Sequence, residues 1–221
     1  MVAHSDPLAT VQDSLRPRLP LWVRIVIILC CALQALTILA DLLGYPILRQ
    51  ALVIFGGFWS AIVWAGHGVF PGQLLSIFVT YGFLHAGLLH LGMNMLSLVA
   101  LARELNRLIG PRRMALVYAV TQVAAALLFA VMAPDGGPMI GASGAIFGLA
   151  GALVGFAAVT GWRRRRPLGQ LWRGVAMMVV LNVALTVLMP SIAWEAHLGG
   201  TLAGLVMGAA MALGSGPRSA F

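Results

Sequence analysis

The sequence predicts an all-α membrane protein built on six transmembrane helices. Three observations carry that prediction. Apolar residues make up 61% of the 221 positions and charged residues only 9%, where soluble domains run near ~45–50% and ~25%. The apolar residues gather in stretches of about 20, the length that crosses a bilayer. The basic residues sit in short connectors beside those stretches. An apolar excess of this size cannot fill one buried core, so lipid must act as a solvent for the chain. A soluble enzyme, a disordered chain and a nucleic-acid binder of ordinary type are excluded.

The elements follow in order. Residues 1–20 are polar, contain Pro and two Asp, and lack an apolar signal core. They read as a short cytoplasmic tail before a retained first span at 21–43. Cys30 and Cys31 are adjacent inside that span, which excludes a disulfide framework and a zinc ribbon. The later spans are expected at 74–102, 113–133, 141–161, 171–190 and 194–214. Ala133-Pro134-Asp135-Gly136-Gly137-Pro138 is a turn composition between the third and fourth, and Pro190-Ser191 separates the fifth from the sixth. The membrane domain is thus 21–214, followed by a cytoplasmic tail at 215–221. No repeat of 20–50 residues is visible, which argues against a transporter.

The stretch 51–65 (ALVIFGGFWSAIVWA) is a seventh candidate, and charge arbitrates. The net charge is +8 and every basic residue is an arginine. With the N-terminus inside, six spans put 13 of the 14 arginines on the cytoplasmic side. A seventh span would divide them. The segment is therefore expected to lie in the extracytoplasmic interface as part of the first loop, where Phe55, Phe58, Trp59 and Trp64 suit the headgroup boundary. On the same reasoning the charge records orientation, not a nucleic-acid partner. The run Arg163–Arg166 is expected to hold its loop in the cytoplasm, with contact to anionic lipid as the alternative reading.

In a membrane span the informative residue is the polar one. His90 and Asn94 are four apart and share a helix face. His85, five residues before His90, would point about 140° away on the same helix. Interhelical hydrogen bonding is the plain reading of such groups. The fourth span opens Gly141-Ala142-Ser143-Gly144, with glycines recurring through Gly148, Gly151 and Gly155. The sixth carries Gly200, Gly204 and Gly208 after His197. Two such stripes predict that these spans pack with their backbones close. Ser143 and His197 then lie near the extracytoplasmic ends of their helices.

A serine in a glycine-rich span is usually a packing residue, and a lone membrane histidine is usually a packing group or a proton relay. Their conjunction at similar depth is more specific. Acyl-transfer hydrolysis needs a nucleophile, a base and oxyanion donors. Ser143 and His197 fill the first two roles. Asn94, His90 and the Ser143 backbone N–H could line an oxyanion hole. Glu195 stands about 200° from His197 around the helix, so a Ser–His dyad is expected and not a triad. The histidines lack metalloprotease spacing, and no metal or other cofactor is expected.

HxxxN at His90–Asn94, GASG at 141–144 and AHLGGTLAG at 196–204 together resemble the rhomboid family of intramembrane serine proteases, over roughly residues 22–213. The resemblance implies a bacterial-type, six-span rhomboid-like bundle in a cell (inner) membrane. It implies Ser143 as nucleophile, His197 as base, and His90 and Asn94 as oxyanion donors. Gly141 belongs to the serine motif, and His85 matches a supporting histidine. A tyrosine usually found four residues after the serine is Phe147 here, which keeps the ring. A Trp-Arg pair common before the second span is absent at Gln73-Leu74-Leu75-Ser76-Ile77. The implied partners are the lipid bilayer and single-span membrane protein substrates, unwound locally at the cut. The fifth span, whose Asn182 and Thr186 read as interhelical bonding groups, and the loop near Pro190–Trp194 are the expected gate. The alternative is a catalytically weak relative that binds membrane helices for quality control.

Overall fold

The computed structural model describes residues 19–165 and 193–214, together with isolated positions between 169 and 180. Its helices are α1 (Leu21–Leu42), α2 (Ile47–Gly56), α3 (Ser60–Ala65), α4 (Gln73–Thr80), α5 (Leu88–Ile109), α6 (Pro111–Met132), α7 (Ser143–Arg163) and α8 (Trp194–Gly214), with a 3-10 turn at Tyr81–Phe83. Among the described residues every regular element is helical, apart from one antiparallel bridge between Phe58 and Met139. Among the described residues five helices, α1 and α5 to α8, are long and apolar enough to cross a membrane. The protein is a multi-pass membrane protein. The fifth expected span, 171–190, with its Asn182, Thr186 and gating role, lies outside the described residues apart from isolated positions. So do both tails.

Four expected spans fall within about two residues of their helices, as boundaries of this kind allow. The second does not, and its range needs correcting. The stretch 74–102 is two elements: α4 with its 3-10 turn, then α5, which begins at Leu88 and runs on to Ile109. Apolar content is continuous across the join, so hydropathy is blind to it. The chain turns through Leu84-His85-Ala86-Gly87, and Gly87 precedes α5 in extended conformation. At the far end Arg103, Glu104 and Arg107 still belong to α5, and Arg107 pairs with Glu104 at 2.6 Å. The 51–65 segment lies in the short helices α2 and α3, of 10 and 6 residues. At 1.5 Å per residue neither reaches across hydrocarbon.

The centre of the fold is the α7–α8 contact. A methyl added at Gly200 would strike the carbonyl oxygen of Gly144, at Gly204 that of Gly148, and at Gly208 that of Ala152. From the other side, one at Gly151 would strike Thr201 O and one at Gly155 would strike Leu205 O. Backbones this close need glycine on both helices. Since the partners advance together in four-residue steps, the two helices run parallel, and both begin at the same end. Helix α6 packs against this pair, with Thr121 filling the space beside Gly148 and donating to Val117 O at 2.8 Å. The main apolar core joins Val23 of α1, Leu98 and Leu105 of α5, Met114 and Val117 of α6, and Leu149 of α7.

The arginine-bearing ends meet at one pole. Arg163 donates to Ala212 O at 3.1 Å, Trp22 Nε1 donates to Pro111 O at 3.2 Å, and Arg113 shares a cavity lining with Met211 and Gly214. The starts of α5, α7 and α8 gather at the opposite pole. That pole also carries the first loop, whose Phe58 is fully buried among Phe78, Tyr81 and Phe129.

Candidate functional site

Ser143 is the first residue of α7, and His197 lies in the first turn of α8. Parallel packing brings those first turns together, and the His197 Nε2 stands 2.9 Å from the Ser143 Oγ. The Phe147 ring lies one turn below Ser143 and stacks on the imidazole, with centroids 4.2 Å apart and planes 13° off parallel. His197 is buried, and Thr201 donates to its carbonyl oxygen at 2.7 Å. The histidine is thus held by a ring on one side and by its helix on the other.

Gly141 is the hinge of the arrangement. Its φ is +124°, in the region that favours glycine. Its N–H donates to Tyr81 O at 2.9 Å. A methyl here would lie 2.8 Å from His90 Cε1, 2.9 Å from His90 Nε2 and 3.8 Å from Ser143 Oγ. The His90 ring therefore lies against the backbone that leads into Ser143. Its Nδ1 accepts the Ala86 N–H at 3.4 Å, which leaves the proton of the neutral ring on Nε2, the atom facing Gly141. Asn94, one turn further along α5, is buried; its Nδ2 donates to His90 O at 2.9 Å, and its Oδ1 has no hydrogen-bond partner among the described residues.

His85 departs from the expected geometry. It was expected on a different helix face from His90, but it precedes α5, and the turn at 84–87 folds it back. Its ring meets His90 edge-on with centroids 5.2 Å apart. Both of its ring nitrogens are buried with no partner among the described residues. Burial, reinforced by neighbouring His90, holds its pKa down to about 4, so it is neutral at neutral pH.

Direct contacts thus join Ser143, His197, Phe147, Gly141, His90 and His85 in one cluster, and Asn94 enters through its bond to His90. Two contributors were not read from the sequence. Tyr81, fully buried, holds Gly141 through its carbonyl and donates its hydroxyl to Gln122 O at 2.8 Å. Phe58 exchanges both backbone hydrogen bonds with Met139, each 2.9 Å. Both act through backbone atoms, which residue type does not advertise. No group of three or more His, Cys, Asp or Glu among the described residues could hold a metal ion.

A family model described as "Rhomboid domain" matches residues 71–213, which is most of the chain and includes every residue of this cluster. The chain is 32% identical to "RHOMBOID-like protein 5" of Arabidopsis thaliana over 127 residues, 57% of this chain and 40% of the relative. It is 29% identical to "Rhomboid protease GluP" of Bacillus subtilis over 183 residues, 82% of this chain and 34% of that protein. It is 33% identical to "Rhomboid-type serine protease 2" of Emericella nidulans over 135 residues, 59% of this chain and 26% of that protein. The chain spans less than half the length of each of these relatives.

Proposed function

This chain belongs to the rhomboid family, and on that premise we propose that it is an intramembrane serine endopeptidase working through a Ser143–His197 dyad. One observation carries the proposal: a serine hydroxyl and an imidazole nitrogen 2.9 Å apart in a multi-pass membrane protein. The names of two relatives, a rhomboid protease and a rhomboid-type serine protease, point to the same chemistry.

His197 Nε2 takes the hydroxyl proton as Ser143 Oγ attacks the scissile carbonyl, and the carbonyl π pair moves onto oxygen. The His90 Nε2–H, the Asn94 amide and the Ser143 backbone N–H are the donors offered to that oxyanion. The intermediate collapses, the C–N bond breaks, and the leaving amine takes the proton from His197. Water then adds to the acyl-enzyme with His197 again as base, releasing a carboxylate and restoring Ser143. Phe147 takes the orienting part that a carboxylate plays in a triad, by stacking on the base. Gly141 lets the oxyanion segment approach His90, and His85 supports that ring from behind. No cofactor takes part.

The substrates are single-span membrane proteins. A helical backbone is shielded by its own hydrogen bonds, so the segment at the cut must unwind, and small or helix-breaking residues there favour it. Six spans remain our reading of residues 21–214. The fifth is 171–190, proposed from its apolar content. That span, with the loop near Pro190–Trp194, is our gate. The first loop lies in the interface, in keeping with exposed Ile54, Phe55 and Trp64 on helices too short to span. The arginine pole, with tails 1–20 and 215–221, is cytoplasmic in a cell membrane of bacterial type, so the site opens to the extracytoplasmic side.

Cleavage of a single-span reporter by wild type and by Ser143→Ala in proteoliposomes tests this directly. Wild type should release products of defined size and react with a fluorophosphonate probe, and the variant should do neither. Equal cleavage by both would remove Ser143 from the mechanism. Capture of uncut helices by both, with no cleavage by either, would favour the quality-control alternative.

A further inference from the structure

Gln73 is fully buried at the start of α4, beside a first loop otherwise rich in exposed apolar side chains. Its amide is satisfied at both ends. Oε1 accepts the Val69 N–H at 2.8 Å, and Nε2 donates to Ile54 O at 3.2 Å and Phe55 O at 3.4 Å. Those carbonyls belong to the last turn of α2, where the helix itself offers no donors. The same turn is completed by Thr80 Oγ1, which donates to Gly56 O at 2.7 Å, and by Gly57 N–H, which donates to Val53 O at 2.9 Å. Two side chains of α4 thus cap the C-terminus of α2, beside Trp59 Nε1, which also donates to Ile54 O at 3.2 Å.

The cap has a consequence for the site. With α2 stopped at Gly56, Gly57 turns extended and Phe58 N–H turns to Met139 O at 2.9 Å. Met139 returns the bond at 2.9 Å. Two residues later Gly141 is held by Tyr81, which directly follows Thr80, and its open side faces the His90 ring. The segment 139–142 is therefore gripped between two products of one short helix: the loop that α4 caps and the turn in which α4 ends.

We infer that Gln73 is a positioning residue, which through the α2 cap and the Phe58–Met139 bridge fixes the segment 139–142 against His90. The inference rests on the protease reading above and adds the part that sets the oxyanion side of the site. The dyad is set separately, by the α7–α8 glycines.

Those two origins make the idea testable on the full chain in proteoliposomes, with a single-span reporter and steady-state kinetics. Gln73→Met keeps the volume and removes all three bonds. A shift of the oxyanion donors by a fraction of an ångström acts on the transition state more than on substrate binding. The expected result is kcat lowered about tenfold or more, with KM within about twofold of wild type. Thr80→Val removes the bond to Gly56 O, together with the hydroxyl's contact to Ser76 O inside α4, and should lower kcat about threefold by the same pattern; it decides the matter if Gln73→Met does not fold. Wild-type kcat in a folded Gln73→Met protein would overturn the inference. A raised KM with kcat unchanged would also overturn it, since the cap would then serve substrate binding. Background cleavage by wild type, equal to Ser143→Ala, would instead overturn the protease reading and this inference with it.

Discussion

Replacing Gly200 by alanine adds one methyl at the closest point of the α7–α8 contact. The new carbon would overlap the carbonyl oxygen of Gly144, and it would also lie 2.9 Å from that residue's carbonyl carbon and 3.3 Å from Gly148 N. All three obstacles are backbone, so no side chain can swing away. A carbon rests about 3.3–3.6 Å from a carbonyl oxygen, so α8 must withdraw by about 1.5 Å to relieve the overlap. Overpacking of this kind costs about 1–3 kcal/mol. The catalytic consequence is larger, because His197 lies one turn before Gly200. Moved by the same amount, its Nε2 would go from 2.9 Å to about 4.4 Å from Ser143 Oγ, outside hydrogen-bond range. Misplacement by about 1 Å can cost about a hundredfold in rate. The assay is reporter cleavage in proteoliposomes, beside the melting temperature in detergent. Gly92→Ala on α5 is the control, since its methyl meets nothing within 4 Å, and it should keep wild-type turnover. Wild-type turnover and melting in Gly200→Ala would refute the claim that close glycine packing sets the dyad distance.

Three further outcomes follow from the same geometry. Gly141→Ala forces a methyl onto the His90 ring at 2.8 Å in a backbone conformation with φ +124°; kcat should fall about 10²–10³-fold, the loss typical of a missing oxyanion donor, as measured in single-turnover cleavage. Phe147→Leu removes the ring stacked at 4.2 Å on His197; an aromatic contact of about 0.5–1.5 kcal/mol corresponds to a two- to tenfold lower kcat, and an unchanged kcat would dismiss Phe147 as an orienting group. His85 gives a pH signature. Its pKa is near 4 when folded, against an ordinary 6.5, so the unfolded chain takes up its proton first. The stability from His85 is complete above about 6.5 and declines as pH falls toward about 4. His85→Leu should therefore lose less melting temperature than wild type between about pH 7 and about pH 5, and equal losses would contradict it.

Some of this was legible in the residues themselves. Long apolar runs can be read from the sequence because crossing a bilayer requires a stretch of fixed length. Glycine stripes on the fourth and sixth spans can be read because only glycine lets two backbones touch, and the structure joins Gly144, Gly148 and Ala152 to Gly200, Gly204 and Gly208. Ser143 and His197 stand out because lipid penalises polar groups, so each polar residue in a span asks for a reason. His85 shows where that reading stops. Its position on a helix face was inferred from a helix that begins only at Leu88, and hydropathy, which sums side chains, does not register a backbone turn between two apolar segments.

What the sequence determined by itself was the class of solvent, the small-residue faces and the identity of the polar minority, since each depends on the chemistry of a residue or its spacing within one element. How those groups meet was set by the packing of segments remote in the chain. Parallel packing of α7 and α8 sets Ser143 beside His197 across 54 residues of chain. The grip on 139–142 from Phe58, Tyr81 and Gln73 depends on backbone atoms from remote segments. Every residue carries an N–H or a C=O, so their pairing leaves no mark in residue type, and only the folded chain selects it.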